Sequence, residues 1–228
     1  MRKRCAVFFL GSLLALFIAA GATHADTIGP LTSSISSAAT DWNNTLAFNQ
    51  FNSSLGTLDS VTLYLSATSS VMQVTFTALP TLYGSVTNPN VTVGYYVSTT
   101  AGSLPGTYPQ ITLGNTTTGA FSTPTAGGTL TFNWGTTTGT YSNTYTDSNT
   151  LQYFTGTGTA TLNAFTITGW NGSNVSNMWK ESTNGTTGAL TGEVTYNYTP
   201  NPVPAPATAL LLVPGLIGLA LIRKRFKR

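Results

Sequence analysis

Histidine, cysteine and charge are scarce. The 228 residues hold one histidine, His24, one cysteine, Cys5, and 7% charged side chains. His24 and Cys5 both fall in a segment read below as an export leader, so the stretch from Asp26 to Pro200 has neither imidazole nor thiol. Without imidazole there is no Ser-His-Asp triad and no Cys-His pair. Zinc sites built from cysteine and histidine are equally excluded, since carboxylates alone suit harder cations. No disulfide can brace the body, so its stability has to come from a packed core. No catalytic residue, metal or cofactor is expected.

The charges that exist are segregated. Arg2, Lys3 and Arg4 open the chain, and Arg223, Lys224, Arg225, Lys227 and Arg228 close it. Between Asp26 and Pro200 the only basic residue is Lys180, against Asp26, Asp41, Asp59, Asp147, Glu181 and Glu193. The formal +3 of the whole chain therefore hides a body of about −5. Both basic clusters flank apolar runs and have a topological explanation, so no nucleic-acid partner is expected. The six acids are scattered singly and read as exposed solubilising groups. A two-carboxylate glycosidase, which would need two of them within roughly 5 to 10 Å across a cleft, is carried as a third reading.

The opening "MRKRCAVFFLGSLLALFIAAGATHAD" places a basic segment before an apolar stretch and small residues, the layout of a secretory signal peptide. Cleavage between Ala25 and Asp26 fits this layout, and Ala-Gly-Ala ending at Ala22 is a second candidate site. Cys5 precedes the apolar stretch, on the wrong side for a lipid-modified cysteine.

The body reads as strands. Val61, Leu63 and Leu65 alternate with Thr62, Tyr64 and Ser66, and Met72, Val74, Phe76 and Ala78 share one face. The same period places Val91, Val93, Tyr95 and Val97 together, then Leu130, Phe132 and Trp134, then Leu190, Val194, Tyr196 and Tyr198. In "GTATLNAFTITGW" the apolar set changes parity from Ala160, Leu162 and Ala164 to Phe165 and Ile167, which predicts a bulge or a crossing between sheets. "TNPN", "AGSLPGTYP", "NTTTG" and "STPTAGG" read as turns. No helical period competes, so no helix longer than about two turns is expected in the body. Abundant threonine suits a pleated surface and keeps the solvent face wet without charge. The fold class predicted is all-β, a single antiparallel β-sandwich of jelly-roll or immunoglobulin-like type.

From Ala207 to Ile222 the chain is apolar apart from Thr208, slightly short of the ~20 residues that usually cross a bilayer. Counted from Pro204 it makes a thin span, with RKRFKR held on the cytoplasmic side as a stop-transfer cluster. Physics alone gives a tail anchor. Taken with Val203-Pro204-Ala205-Pro206-Ala207 before it, the segment from Val203 to Arg228 resembles the PEP-CTERM sorting signal of Gram-negative bacteria. Pro204 and Pro206 match that motif, and Ala205 stands where glutamate is usual. The resemblance implies processing by a membrane-embedded cysteine transpeptidase, an exosortase, after a transient stay in the inner membrane.

Within the body, "TDWNNTLAFNQFNSSLGTLDSVTLYLSAT", "LQYFTGTGTATL" and "GEVTYNYTP" resemble the choice-of-anchor E domain. That resemblance implies an extracellular β domain on a replaceable tail and brings no catalytic residues. On the residues themselves, Phe48, Phe51, Leu55 and Leu58 read as first-strand and turn anchors, with Gly56 permitting the turn.

Three groups have a functional and a structural reading. Trp170 and Trp179, with Asn171, Asn174 and Asn177, could form a glycan-stacking platform or simply pack. Asp147 with Asn149 could offer oxygens to calcium or make an Asx-turn. The N-x-S/T sequences at Asn44, Asn52, Asn90, Asn115, Asn171, Asn174, Asn184 and Asn197 follow from a chain rich in Asn and Thr.

The expected organisation is a signal peptide over 1–25, an extracellular β domain over 26–200 and a sorting signal over 201–228. The expected function is that of a non-enzymatic cell-surface or matrix protein associated with extracellular polysaccharide. The alternative is a carbohydrate-binding module on a permanent C-terminal membrane anchor.

Overall fold

The alternation of apolar side chains is realised as extended chain. The computed structural model describes residues 24–70, 72–99, 109–182 and 185–202, with Trp179 and Lys180 as backbone. Its strands are β1 (Asp26–Ala39), β2 (Asn43–Asn49), β3 (Gly56–Ser70), β4 (Met72–Ala78), β5 (Ser85–Thr99) and β6 (Gln110–Thr116). After these come β7 (Ala120–Ser122), β8 (Thr129–Trp134), β9 (Thr137–Tyr145), helix α1 (Ser148–Phe154), β10 (Thr159–Ser176), β11 (Met178–Ser182) and β12 (Thr187–Pro200). Most of the expected signal peptide, the motif Val203-Pro204-Ala205-Pro206-Ala207 and the cluster Arg223, Lys224, Arg225, Lys227 and Arg228 lie outside the described residues. Among the described residues no helix is long and apolar enough to cross a membrane.

The sheets are antiparallel. One runs β1-β12-β3-β9, a second β2-β10-β5-β6 with β7 also on β5, and a third β11-β4-β8. The third prolongs the first. A single residue separates β3 from β4, and Ser69↔Thr137 and Met72↔Trp134 keep one register across the break. The inward parity switches there, from Leu63, Leu65 and Ala67 to Met72, Val74 and Phe76, while the register is kept.

The first and second sheets share one hydrophobic cluster. Val61, Leu63, Leu65, Leu190, Val194 and Tyr196 from the first meet Leu46, Phe48, Val91, Val93, Tyr95 and Leu162 from the second. Each aliphatic side chain so buried stabilises the fold by about 1.5–3 kcal/mol. Beyond this switch a smaller cluster joins Val74, Phe76 and Val86, with Phe121, Phe132, Trp170 and Met178 packed against it. The sheets also meet at their margins, where Ala47 N–H donates to Ser33 Oγ (3.0 Å) and Asn115 Nδ2 to Thr137 Oγ1 (2.7 Å). Ala25–Thr199 forms one compact unit whose first and last strands pair, Asp26 opposite Tyr198.

The final strand has the expected face: Leu190, Val194, Tyr196 and Tyr198 are all buried. Four expectations need correction. Parity does not change at Ala164: Thr166 continues the buried face of β10, and Phe165 and Ile167 point outward, Ile167 being 55% exposed. Pairing there is regular on both flanks, and the register shifts of β10 come only after Asn171. "TNPN" is not a turn between strands but lies within β5. Asn88 adopts φ +48°, a conformation asparagine tolerates, and its Oδ1 accepts from Gly119 N–H at 2.9 Å.

The anchor set also divides. Phe48, Phe51 and Leu58 are buried, whereas Leu55 is 46% exposed in the turn before β3. Phe48 belongs to the second strand, because β1 precedes it. That strand buries only Ile35 fully and carries two register shifts, so its sequence shows no clean period. The short helix α1 was likewise not legible as a period. Its length stays within the two turns expected.

Candidate functional site

The register of the second sheet defines its outward face row by row. Asn90, Thr92, Gly94 and Tyr96 of β5 alternate with the buried Val91, Val93, Tyr95 and Val97. Across the sheet, Gln110, Tyr96 and Phe165 form one row, Thr112, Gly94 and Ile167 the next, then Gly114, Thr92 and Gly169. Thr116, Asn90 and Asn171 follow. Successive rows are about 7 Å apart along the strands.

The aromatic row is ordered by contacts on the sheet itself. Tyr96 and Phe165 are stacked, their centroids 5.1 Å apart and planes 15° from parallel. The Tyr96 ring leans over Gly94, where a Cβ would come within 2.6 Å of it. Gln110 Nε2 donates to Thr112 Oγ1 at 3.0 Å and reaches Tyr96 OH at 3.4 Å. Beyond the row of Thr112, Gly94 and Ile167, Gly114 and Gly169 leave Thr92 as the sole side chain of its three-residue row. The arrangement is a shallow trough with an apolar wall and a polar wall. Its signal in the sequence is glycine at outward strand positions, concealed by the apolar Phe165 and Ile167 on the same face.

The residues singled out from sequence are placed differently. Trp170 lies on the inward parity of β10, half-buried, with its ring edge-to-face on the fully buried Phe76 at 5.0 Å. Trp179 lies in β11, where the register with β4 shifts between Met178 and Lys180. Asn174 and Asn177 take φ +49° and +55° in the reversal between β10 and β11, and Asn177 Nδ2 donates to Tyr83 O at 3.0 Å. Asn171 alone of that group is on the outward face beside the trough.

The aspartates do local work. Asp147 caps α1, its Oδ1 accepting from Thr150 N–H at 2.9 Å. Partial burial alone would raise its pKa, but backbone hydrogen bonds, that of Thr150 foremost, hold it below the ordinary carboxylate value. Asp41, at φ +68°, accepts from Thr168 N–H at 2.7 Å where β2 has left the edge of β10. Asp26 accepts from Tyr198 OH (3.1 Å) and Asp59 from Thr199 Oγ1 (2.8 Å), on opposite flanks of β12. Among the described residues no three of His, Cys, Asp and Glu gather where they could hold a metal ion.

No protein-family model matches the chain, and no curated protein matches it. Among solved structures it is similar to the cryo-EM structure of Mud crab tombus-like virus, at 9% identity over 83% of this chain and 86% of that one, TM-score 0.22. It is similar also to the nora virus structure, at 13% identity over 80% and 70%, TM-score 0.23. A third is Tobacco streak virus coat protein, at 11% identity over 80% and 91%, TM-score 0.20. Likeness of this depth decides neither fold nor function.

Proposed function

We propose that this chain is an exported, non-enzymatic surface or matrix protein of a Gram-negative bacterium, sorted through its C-terminal segment and associated with extracellular polysaccharide. The observation that carries the non-enzymatic reading is the deployment of the aspartates. Asp26, Asp41, Asp59 and Asp147 each accept hydrogen bonds that fasten a strand end, a strand edge or a helix start. A glycosidase needs two carboxylates aimed at one bond instead. The sorting half rests on the sequence of the tail, in which Pro204 and Pro206 precede an apolar run and a basic end.

The body is a single β-sandwich of jelly-roll type within this proposal. Joining β3 with β4, β6 with β7, β8 with β9 and β11 with β12 leaves eight strands, in sheet orders 1-8-3-6 and 2-7-4-5. Two interleaved four-stranded sheets of this kind are the double Greek key of a jelly roll, and they favour it over an immunoglobulin-like arrangement.

Intact mass of protein recovered from the outer surface tests the proposal. Cells with an active exosortase should yield a species beginning at Asp26 and lacking the basic end, and cells without it should retain the tail in the inner membrane. Surface protein that still contains Arg228 would sink the sorting claim and leave a permanent anchor. Hydrolytic activity abolished by replacing one of the acids with its amide would sink the non-enzymatic claim. The alternative, a carbohydrate-binding module on a permanent anchor, is favoured by one observation, the trough on the outer sheet face.

A further inference from the structure

We infer that the trough floored by Gly114, Thr92 and Gly169 is a binding site for a neutral polysaccharide. The inference deepens the proposed polysaccharide association and rests on it. Glycine inside a strand weakens it and commonly marks a place where a ligand approaches the backbone closely. Gly94 has a structural use, since the Tyr96 ring covers it. Gly114 and Gly169 are less constrained, because only the Thr92 side chain lies close against them, at distances a small shift would relieve. Neither has the positive φ that demands glycine, and the nearest atoms a Cβ would meet belong to the Thr92 side chain, at 3.3 and 3.2 Å. The two strands flanking β5 therefore omit a side chain in one row on either side of Thr92.

The walls indicate the ligand. Toward the aromatic row stand the Tyr96 ring and the exposed Ile167, which suit the C–H face of a sugar. Toward the other side stand Asn90, Asn171 and Thr116, amides and a hydroxyl that suit its hydroxyl groups. No row of the trough carries a charged residue. The nearest carboxylate described, that of Asp41, is fastened to Thr168 N–H beside Gly169, a negative charge that disfavours a polyanion. A strand from a second copy would add at the outer edge of β6, the last strand of this sheet, and would leave the outward face of the floor open.

The test is titration of the full-length protein, in mild detergent, with a β-1,3-glucan, a dextran and a xylan, and with alginate as the anionic comparator. At least one neutral polymer should bind, and Gly169→Thr, which fills the floor with a strand-favouring side chain, should weaken it ten-fold or more. Ile167→Asn changes only an exposed position and should weaken the same polymer if Gly169→Thr does not fold. Gly135→Ala, away from this face, should bind as the parent does. Binding to none of the neutral polymers, binding to alginate alone, or undiminished binding by both wall and floor variants overturns the inference. Self-association lost in Gly169→Thr without glycan binding also overturns it and assigns the face to a second copy. None of these outcomes depends on whether the tail is processed, which the surface mass measurement reports separately.

Discussion

Ser69 Oγ and Tyr95 OH lie 2.7 Å apart inside the main core, and Tyr95 OH also donates to Thr68 O at 2.9 Å. With the tyrosine proton committed to Thr68, Ser69 is the donor to Tyr95. Tyr95→Phe removes the acceptor of a buried serine and the donor to a carbonyl together, and should cost about 1–3 kcal/mol. Ser69→Ala removes only a donor to an oxygen that keeps its other bond, and should cost less. Urea unfolding of the two variants checks the order, and a larger loss in Ser69→Ala would reverse the donor assignment.

Phe165 and Tyr96 form a directly opposed cross-strand pair on the solvent side of the sheet. Such pairs add about 0.5–1.5 kcal/mol beyond area burial. A double-mutant cycle with Phe165→Ala and Tyr96→Ala should return a coupling of that order. A value of zero would mean that the two rings contribute independently.

The parity of Phe165 also shows how far the sequence could be read. Clean alternation was enough for Val61–Leu65, Met72–Ala78, Val91–Val97 and Leu190–Tyr198, because each has one aliphatic or aromatic face in the core and an outward face of threonine, other polar residues, glycine or tyrosine. It failed where outward positions carry large apolar side chains. Phe165 and Ile167 face solvent for reasons of their neighbours on β5, and a single strand's sequence does not contain its neighbours. Strand β1 failed for the opposite reason, an edge with little to bury. Trp170 lies on the parity of Ala160, Leu162 and Ala164, which a parity switch to Phe165 and Ile167 conceals. The trough was not legible, since its floor is made by glycines on separate strands brought together by register.

Asp147 gives a pH dependence with a definite sign. Its carboxyl is depressed in the folded chain by the backbone donors at the start of α1, after partial burial has acted the other way. The stabilisation is therefore present above the unfolded value of about 3.9 and lost as pH falls through the folded value. Asp147→Ala should cost about 0.5–2 kcal/mol at neutral pH. Asp147→Asn, which still caps, should cost less and remove the acid-dependent part. Comparing urea midpoints at neutral and acid pH separates capping from charge. An acid response unchanged in Asp147→Asn would assign it to another carboxylate.

Two glycines of the body should respond to alanine with opposite signs. Gly192 faces inward on β12, where a Cβ would sit 2.8 Å from Leu46 Cδ1 and 3.0 Å from the Phe48 ring. Both partners are buried in the main cluster and cannot swing away without disturbing their own neighbours, so Gly192→Ala should destabilise by about 1–3 kcal/mol through overpacking. Gly135 lies between β8 and β9 with nothing within 4 Å of a Cβ and no positive φ. There alanine adds no strain and restricts the unfolded chain, so Gly135→Ala should stabilise by about 0.4–1 kcal/mol. Thermal unfolding of both variants against the parent reads the two signs in one experiment. Stabilisation by Gly192→Ala would show that the sheets can part at β12 to admit a methyl group, and that the packing of Leu46 and Phe48 against it is looser than their burial indicates.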